Sequence, residues 1–122
     1  MSLYFTKQTT SSYLYVISGF FEEALPSVER LNLETLVWQQ MGGKLNIPRT
    51  KFAAVQVIDS TKNFIVLGGK NSQSVRTNTI EVYDCKNDVW TVSENLKMPR
   101  AKSGFACVSV PQPSNVLQSK FY

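Results

Sequence analysis

The side chains that most often carry catalysis are scarce in this chain. Histidine is absent from its 122 residues, which removes imidazole acid–base chemistry and any Ser-His-Asp arrangement. Two isolated cysteines, Cys85 and Cys107, make neither a disulfide framework nor a Cys-x-x-Cys metal site. Cys85 lies beside Lys86 at a strand end; an inert, half-buried thiol is the favoured reading there over a reactive one. Glu22-Glu23 reads as solvated loop rather than an acid–base pair, and the remaining carboxylates are scattered. Gly68-Gly69-Lys70 has the glycine and lysine of a phosphate loop but not its spacing, and no helix follows. The sequence therefore predicts no enzyme, no cofactor and no metal.

Binding is the chemistry left, and the charge balance narrows it. Thirteen Lys and Arg stand against nine Asp and Glu, a net charge of +4, with the basic residues spread singly. That distribution reads as solvated surface and argues against nucleic acid as a partner. The hydrophobic fraction of 43% and charged fraction of 18% are those of an ordinary globular domain. Met1 to Thr10 lacks a signal-peptide profile, and no apolar run approaches the roughly 18 residues that span a bilayer. With its thiols reduced, the chain is expected in the cytoplasm, away from membranes.

The elements that must position any binding residues come from an internal repeat. Tyr13 onward reads YLYVISGF, SVERLNLETLVW and IPRTKFAAVQV; Asn63 onward reads NFIVLGGK, TIEVYDCKNDVW and MPRAKSGFACVSV. Gly19 aligns with Gly69, Glu29 with Glu81, Trp38 with Trp90, and Pro48-Arg49 with Pro99-Arg100, at offsets of 50 to 52 residues. Near-constant offsets mean that loops vary while strands keep step. Leu14 to Ile17 and Phe64 to Leu67 are short apolar runs suited to strands buried on both faces. Val28 to Leu31, Ile80 to Tyr83, Ala53 to Ile58 and Phe105 to Val110 are further strands. Turns are expected at Ala24 to Ser27, Asp59 to Lys62, Lys70 to Asn78 and Asp84 to Asp88. Ser27 to Gln40 has partial helical spacing. Its counterpart Thr79 to Val92 contains the turn run Asp84 to Asp88, so strand–turn–strand is preferred for both.

A Gly-Gly doublet closing an apolar strand, a Tyr and Trp six residues apart, and a Pro-Arg before the next unit together resemble a kelch repeat. The second copy has them all: Gly68-Gly69, Tyr83, Trp90 and Pro99-Arg100. The first has Ser18-Gly19 for the doublet and Leu31 for the tyrosine, but keeps Trp38 and Pro48-Arg49. The resemblance covers Tyr13 to Val110 and implies an all-β fold of propeller blades. One complete four-stranded blade is expected at Lys51 to Val92, with parts of two neighbours: three strands over Tyr13 to Gln40 and an inner strand at Gly104 to Val110. Leu3-Tyr4-Phe5 is a candidate remnant of the first unit's inner strand. The implied organisation is an N-terminal segment 1–12, repeats at 13–50 and 51–110, and a tail at 111–122.

The resemblance also assigns roles. Gly19, Trp38, Arg49, Gly68, Gly69, Tyr83, Trp90 and Arg100 are structural, with both tryptophans between blades and both arginines expected to hydrogen-bond carbonyls or carboxylates within the fold, Glu29 and Glu81 being candidate partners. Loops after the doublet and after the Pro-Arg face the binding mouth in peptide-binding relatives, which nominates Lys70, Asn71, Gln73, Lys51 and Lys102. Phe20 and Phe21 on the first loop would supply an apolar anchor. The implied function is a protein-interaction scaffold, a substrate-recognition or cytoskeletal adaptor, with another protein as partner through an acidic peptide segment. The alternatives are a fragment of a propeller enzyme whose catalytic residues lie outside this chain, and a self-assembling structural protein. Two blades cannot close a ring, so either missing blades or a homo-oligomer is expected.

Overall fold

The computed structural model describes residues 2–7, 12–21, 23–57 and 63–110. Eight strands and no helix occur among the described residues. They form two antiparallel sheets of four strands, each in plain sequential order. The first, blade 1, holds β1 (Ser2–Lys7), β2 (Ser12–Phe21), β3 (Glu23–Asn32) and β4 (Trp38–Gln40). The second, blade 2, holds β5 (Ala53–Gln56), β6 (Phe64–Leu67), β7 (Thr79–Asp84) and β8 (Val89–Lys97).

The register of the two blades matches through their central residues. Leu14 faces Leu31, Val16 faces Glu29 and Leu31 faces Trp38 in blade 1. Phe64 faces Tyr83, Val66 faces Glu81 and Tyr83 faces Trp90 in blade 2. The outer hairpin turns match as well. Asn32 Oδ1 accepts from the N–H groups of Glu34 and Thr35, and Leu36 takes a left-handed φ of 59°. Asp84 Oδ1 accepts from those of Lys86 and Asn87, and Asp88 takes a φ of 56°. A short polar side chain that caps its own turn makes strand–turn–strand, and not a helix, the outcome for Ser27 to Gln40.

Alternation along the strands sends successive side chains to opposite faces. Tyr15, Ile17 and Val28 of blade 1 meet Ala54, Phe64, Val66, Tyr83 and Trp90 of blade 2. Met41 and Leu45 from the connecting segment and Phe52 complete this single core. Its centre is aromatic. Tyr15 meets Phe64 edge-on at 4.9 Å between ring centroids, and Tyr83 stacks on Trp90 at 4.6 Å. Such pairs add about 0.5–1.5 kcal/mol beyond the area they bury.

Four expectations change. Ser2–Lys7 pairs with β2 along its whole length, so blade 1 has a full inner strand and four strands in all. Ala24 to Ser27 lies inside β3 rather than in a turn, because the β2–β3 hairpin runs on past Gly19 to the Phe21–Glu23 pair. Phe20 and Phe21 are accordingly strand residues, not loop residues. Phe105 to Val110 alternates between half-buried and exposed positions but forms no strand. A ladder needs a neighbouring strand, and none of the described residues offers one there. Glu22, Ile58, Asp59 to Lys62 and the tail from Pro111 lie outside the described residues.

Candidate functional site

The segment joining the blades is held from both sides. The Met41 N–H donates to Val28 O and the Leu45 N–H to Pro26 O, both at 2.9 Å, which ties the segment to β3. From there it enters blade 2 at Glu81, whose side chain is fully buried. Glu81 Oε1 accepts from the backbone N–H of Asn46 (2.7 Å) and from its side-chain amide (3.1 Å); Oε2 accepts from the Ile47 N–H (3.1 Å). Arg49, also fully buried, completes the set with a 2.7 Å ion pair to Glu81 Oε2. Its other guanidinium N–H groups donate to Gly68 O, Thr79 O and Thr79 Oγ1. A buried pair is tolerated only when its remaining donors and lone pairs find partners, and here they do.

A second junction lies near the outer edge. The Tyr83 hydroxyl donates to Asp88 Oδ1 at 2.6 Å, while Asp88 Oδ2 accepts from the Gly43 N–H at 2.9 Å. Burial, reinforced by the bond to Asp88, pushes the Tyr83 phenol far above its ordinary pKa. A Cβ on Gly43 would sit 2.4 Å from the Asp88 carbonyl oxygen, so only glycine admits this approach. Sequence reasoning misses Gly43, Asn46 and Asp88. The doublet Gly42-Gly43 is a legible sign of close backbone approach; the other two bond across the repeat boundary, where spacing carries no signal.

The expected roles of the motif residues divide between the copies. Trp90 is 5% exposed whereas Trp38 is 53% exposed. Arg49 is buried with Glu81, while Arg100 and Glu29 are both exposed. Among the described residues neither Arg100 nor Glu29 makes a side-chain hydrogen bond or ion pair, unlike Arg49 and Glu81. The Trp90 indole N–H is buried with no acceptor among the described residues. Cys85 and Cys107 are both thiols. Burial, and after it the Asp84 charge, push the Cys85 thiol up to about 11. It stays protonated at neutral pH, which is the chemistry of an inert cysteine.

At the doublet end of blade 2 the candidate binding residues come together. Thr50 and Lys70 exchange backbone hydrogen bonds in both directions at 2.8 Å. The Gly69 N–H donates to Lys102 O and the Gly104 N–H to Lys51 O, both at 2.8 Å. The backbones of Lys51, Lys70 and Lys102 are therefore knitted around one turn. Gly69 makes this possible: its φ is +91° and a Cβ there would meet Thr50 O at 2.5 Å. Arg76, bridged to Lys70 across the loop, adds a fourth cation that the motif positions do not nominate; it has no counterpart in the first copy. Lys51, Lys102 and Arg76 are exposed and Lys70 is half-buried. None of the four makes an ion pair among the described residues. Asn71 is committed to the loop itself, its Oδ1 accepting from the N–H groups of Gln73 and Val75, while Gln73 is exposed. Phe20 and Phe21 lie beyond Gly19 at the matching end of blade 1.

Paired four-stranded antiparallel sheets, repeated in register and joined through a buried Pro-Arg segment, are blades of the β-propeller class; the ring is not closed by this chain. The kelch motif model matches residues 64–97, which are β6, β7 and β8. The chain thus carries a kelch motif in blade 2 and is similar to kelch-repeat proteins there. It is similar to kelch repeat and BTB domain-containing protein 1 of horsepox virus, 39% identical over 70 residues. The proteins of that name from cowpox virus (strain GRI-90 / Grishak) and camelpox virus (strain CMS) are 37% and 34% identical over 70 residues. In each case the match covers 57% of this chain and 12% of the relative's length.

Proposed function

We propose that this chain is a protein-interaction scaffold that takes an acidic segment of a partner protein at the doublet end of its blades. Kelch-repeat proteins are in general interaction scaffolds, and the relatives named above combine kelch repeats with a BTB domain. The observation that carries the finer reading is the knot of Lys51, Lys70 and Lys102 around Gly69, joined by Arg76, with no carboxylate paired to any of them among the described residues. Four neighbouring cations raise the local concentration of an acidic ligand and speed its encounter. Phe20 and Phe21 end β2 at the corresponding end of blade 1, and we assign the apolar part of the binding surface to them. A substrate-recognition or cytoskeletal adaptor in the cytoplasm fits this chemistry.

Each exposed lysine contributes only about 0.2–1 kcal/mol to a rim pair, so single alanines are poor probes. The test is a fluorescently labelled peptide of alternating Glu and Gly titrated with the wild-type chain and with the triple variant K51E/K70E/K102E across salt concentrations. The wild type should bind more weakly as salt rises, and the triple variant should lose at least about tenfold in affinity at low salt. Equal affinity and equal salt slope for the two would retire the basic rim and leave the fold untouched.

A further inference from the structure

At the end of blade 1 opposite its doublet, a cavity of about 290 Å³ opens among Tyr13, Arg30, Asn32, Val37 and Gln39. Register sets Arg30 opposite the core residue Tyr15 and Gln39 opposite Arg30, so these side chains share the face turned toward blade 2. Both blades that flank that face belong to the chain. Ligand pockets run from roughly 300 to 1,000 Å³, so this one admits a single side chain or a chain terminus. Arg30 is the only charged residue that lines it. Its guanidinium lies 4.0 Å over the Tyr13 ring, Nε donates to Gln39 Oε1 at 2.9 Å, and Nη1 donates to the Tyr15 hydroxyl at 3.2 Å. Tyr15 is fully buried and gives the group a fixed floor. Two of its five N–H groups are thereby used; the other three have no acceptor, and the charge has no carboxylate, among the described residues. Across the junction, Asp84 is spent on the N–H groups of Lys86 and Asn87, and Asp88 on Tyr83 and Gly43. A blade does not require this arrangement: the register equivalents of Tyr13, Arg30 and Gln39 in blade 2 are Asn63, Val82 and Thr91.

We propose that this cavity binds one carboxylate of a partner polypeptide, with Arg30 as the fork that receives it and Tyr13 and Val37 as apolar walls beside it. An end-on carboxylate takes one N–H from each of Nη1 and Nη2, the planar geometry to which a guanidinium is suited. The stack on Tyr13 and the bond to Gln39 hold that plane before the ligand arrives, so little side-chain freedom is lost on binding. One cation matches one negative charge. A phosphate brings nearly two charges and calls for a cluster of cations, and no second charged residue lines the cavity. A Glu or Asp side chain and a C-terminus share the carboxylate chemistry. The site does not rest on the basic rim: Lys51, Lys70 and Lys102 gather around Gly69 at the doublet end, whereas Arg30 lies near the hairpin end of β3.

The experiment is proton–nitrogen correlation NMR of the arginine side chains in the whole chain. Arg30 and Arg76 each donate through Nε to a side-chain oxygen, of Gln39 and Ser103, so each site has its own signal. The probes are acetyl-Val-Glu-Val-amide, acetyl-Val-Gly-Val with a free C-terminus, and the neutral acetyl-Val-Gln-Val-amide. A carboxylate peptide should move the Arg30 Nε–H saturably and bind at least about tenfold more tightly than the neutral one. Whichever carboxylate binds more tightly names the source. Val37→Glu, at an exposed position on the cavity wall, places a tethered carboxylate in the site. Its Arg30 signal should stand displaced before any peptide is added, and peptide affinity should fall at least about tenfold. An unmoved Arg76 signal in that variant shows that the fold is intact. Equal binding of the neutral and charged peptides would overturn the proposal. So would inorganic phosphate that moves the Arg30 signal at a lower concentration than either peptide. A shift confined to Arg76 would overturn it too while upholding the basic rim, and a shift confined to Arg30 would do the reverse.

Discussion

Glu29 and Glu81 hold the same place in their sheets, each opposite a valine of the preceding strand. One is exposed; the other is fully buried, with an arginine and two backbone N–H groups on its oxygens. The same division separates Trp38 from Trp90 and Arg100 from Arg49. In every pair the intrablade surroundings match and the neighbouring blade differs. A kelch motif residue is therefore half an interaction: the repeat supplies the side chain, and the adjoining repeat supplies the environment that makes it structural.

The sharpest way to break that comparison is to remove the two glutamates in turn. Glu81→Ala leaves a buried guanidinium and the Asn46 and Ile47 N–H groups without their acceptor, and should cost about 3–5 kcal/mol. Glu29→Ala should stay within about 0.5 kcal/mol. Urea denaturation of both variants at low protein concentration checks this. Equal losses would mean that Glu29 is buried in solution, as Glu81 is, and that the two copies do not differ at this place.

The tryptophans come next. Trp90→Ala removes an indole stacked on Tyr83 inside the core and should cost about 3–5 kcal/mol. The loss falls toward the lower end because the buried indole N–H has no acceptor to forfeit. Trp38→Ala, on a side chain 53% exposed, should cost under about 1 kcal/mol. Thermal melts distinguish the two. Equal losses for the two variants would mean that the first copy's indole is as buried in solution as the second's.

Much of this architecture is legible in the sequence, for definite reasons. The offset between Trp38 and Trp90 reports a covalent repeat, and repetition of sequence forces repetition of register. The helix-like spacing of Ser27 to Gln40 is overruled by Asp84 to Asp88 in the other copy, and the structure gives both segments the same Asx-capped turn. What spacing does not reveal is context. Nothing local to Trp38 or Arg100 states that, among the described residues, each is exposed. Phe105 to Val110 has the composition of a strand but lacks a partner, and strand formation is a property of the pair. The convergence of Lys51, Lys70 and Lys102 follows from their motif positions. That of Arg76 does not, because it lies in a loop that the first copy replaces with a longer hairpin.

The smallest expected effect concerns the residue where the two doublets part. Ser18 and Gly68 share a φ of 64°, but Gly69 continues at 91° while Gly19 does not enter the left-handed region. The blade 2 doublet is sterically obligatory at both positions, since a Cβ on Gly68 would meet the Lys102 carbonyl oxygen at 2.8 Å. At Ser18 a side chain fits and is used: its hydroxyl is shared at 2.7 Å between Leu25 O of its own blade and Arg49 O of the linker. That bond offsets the roughly 1–2 kcal/mol that a left-handed conformation costs an L-residue, because a buried hydrogen bond is worth about 0.5–1.5 kcal/mol. Ser18→Ala keeps the strain and loses the bond, so it should destabilise by about 1–2 kcal/mol. Ser18→Gly loses the bond but also the strain, against an unfolded-state entropy cost of about 0.5–1 kcal/mol, and should fall between Ala and wild type. The order Ser, Gly, Ala in thermal stability is the expected result. If the alanine variant proves more stable than the glycine variant, the left-handed φ at Ser18 does not govern the site, and the first doublet differs from the second in backbone as well as in sequence.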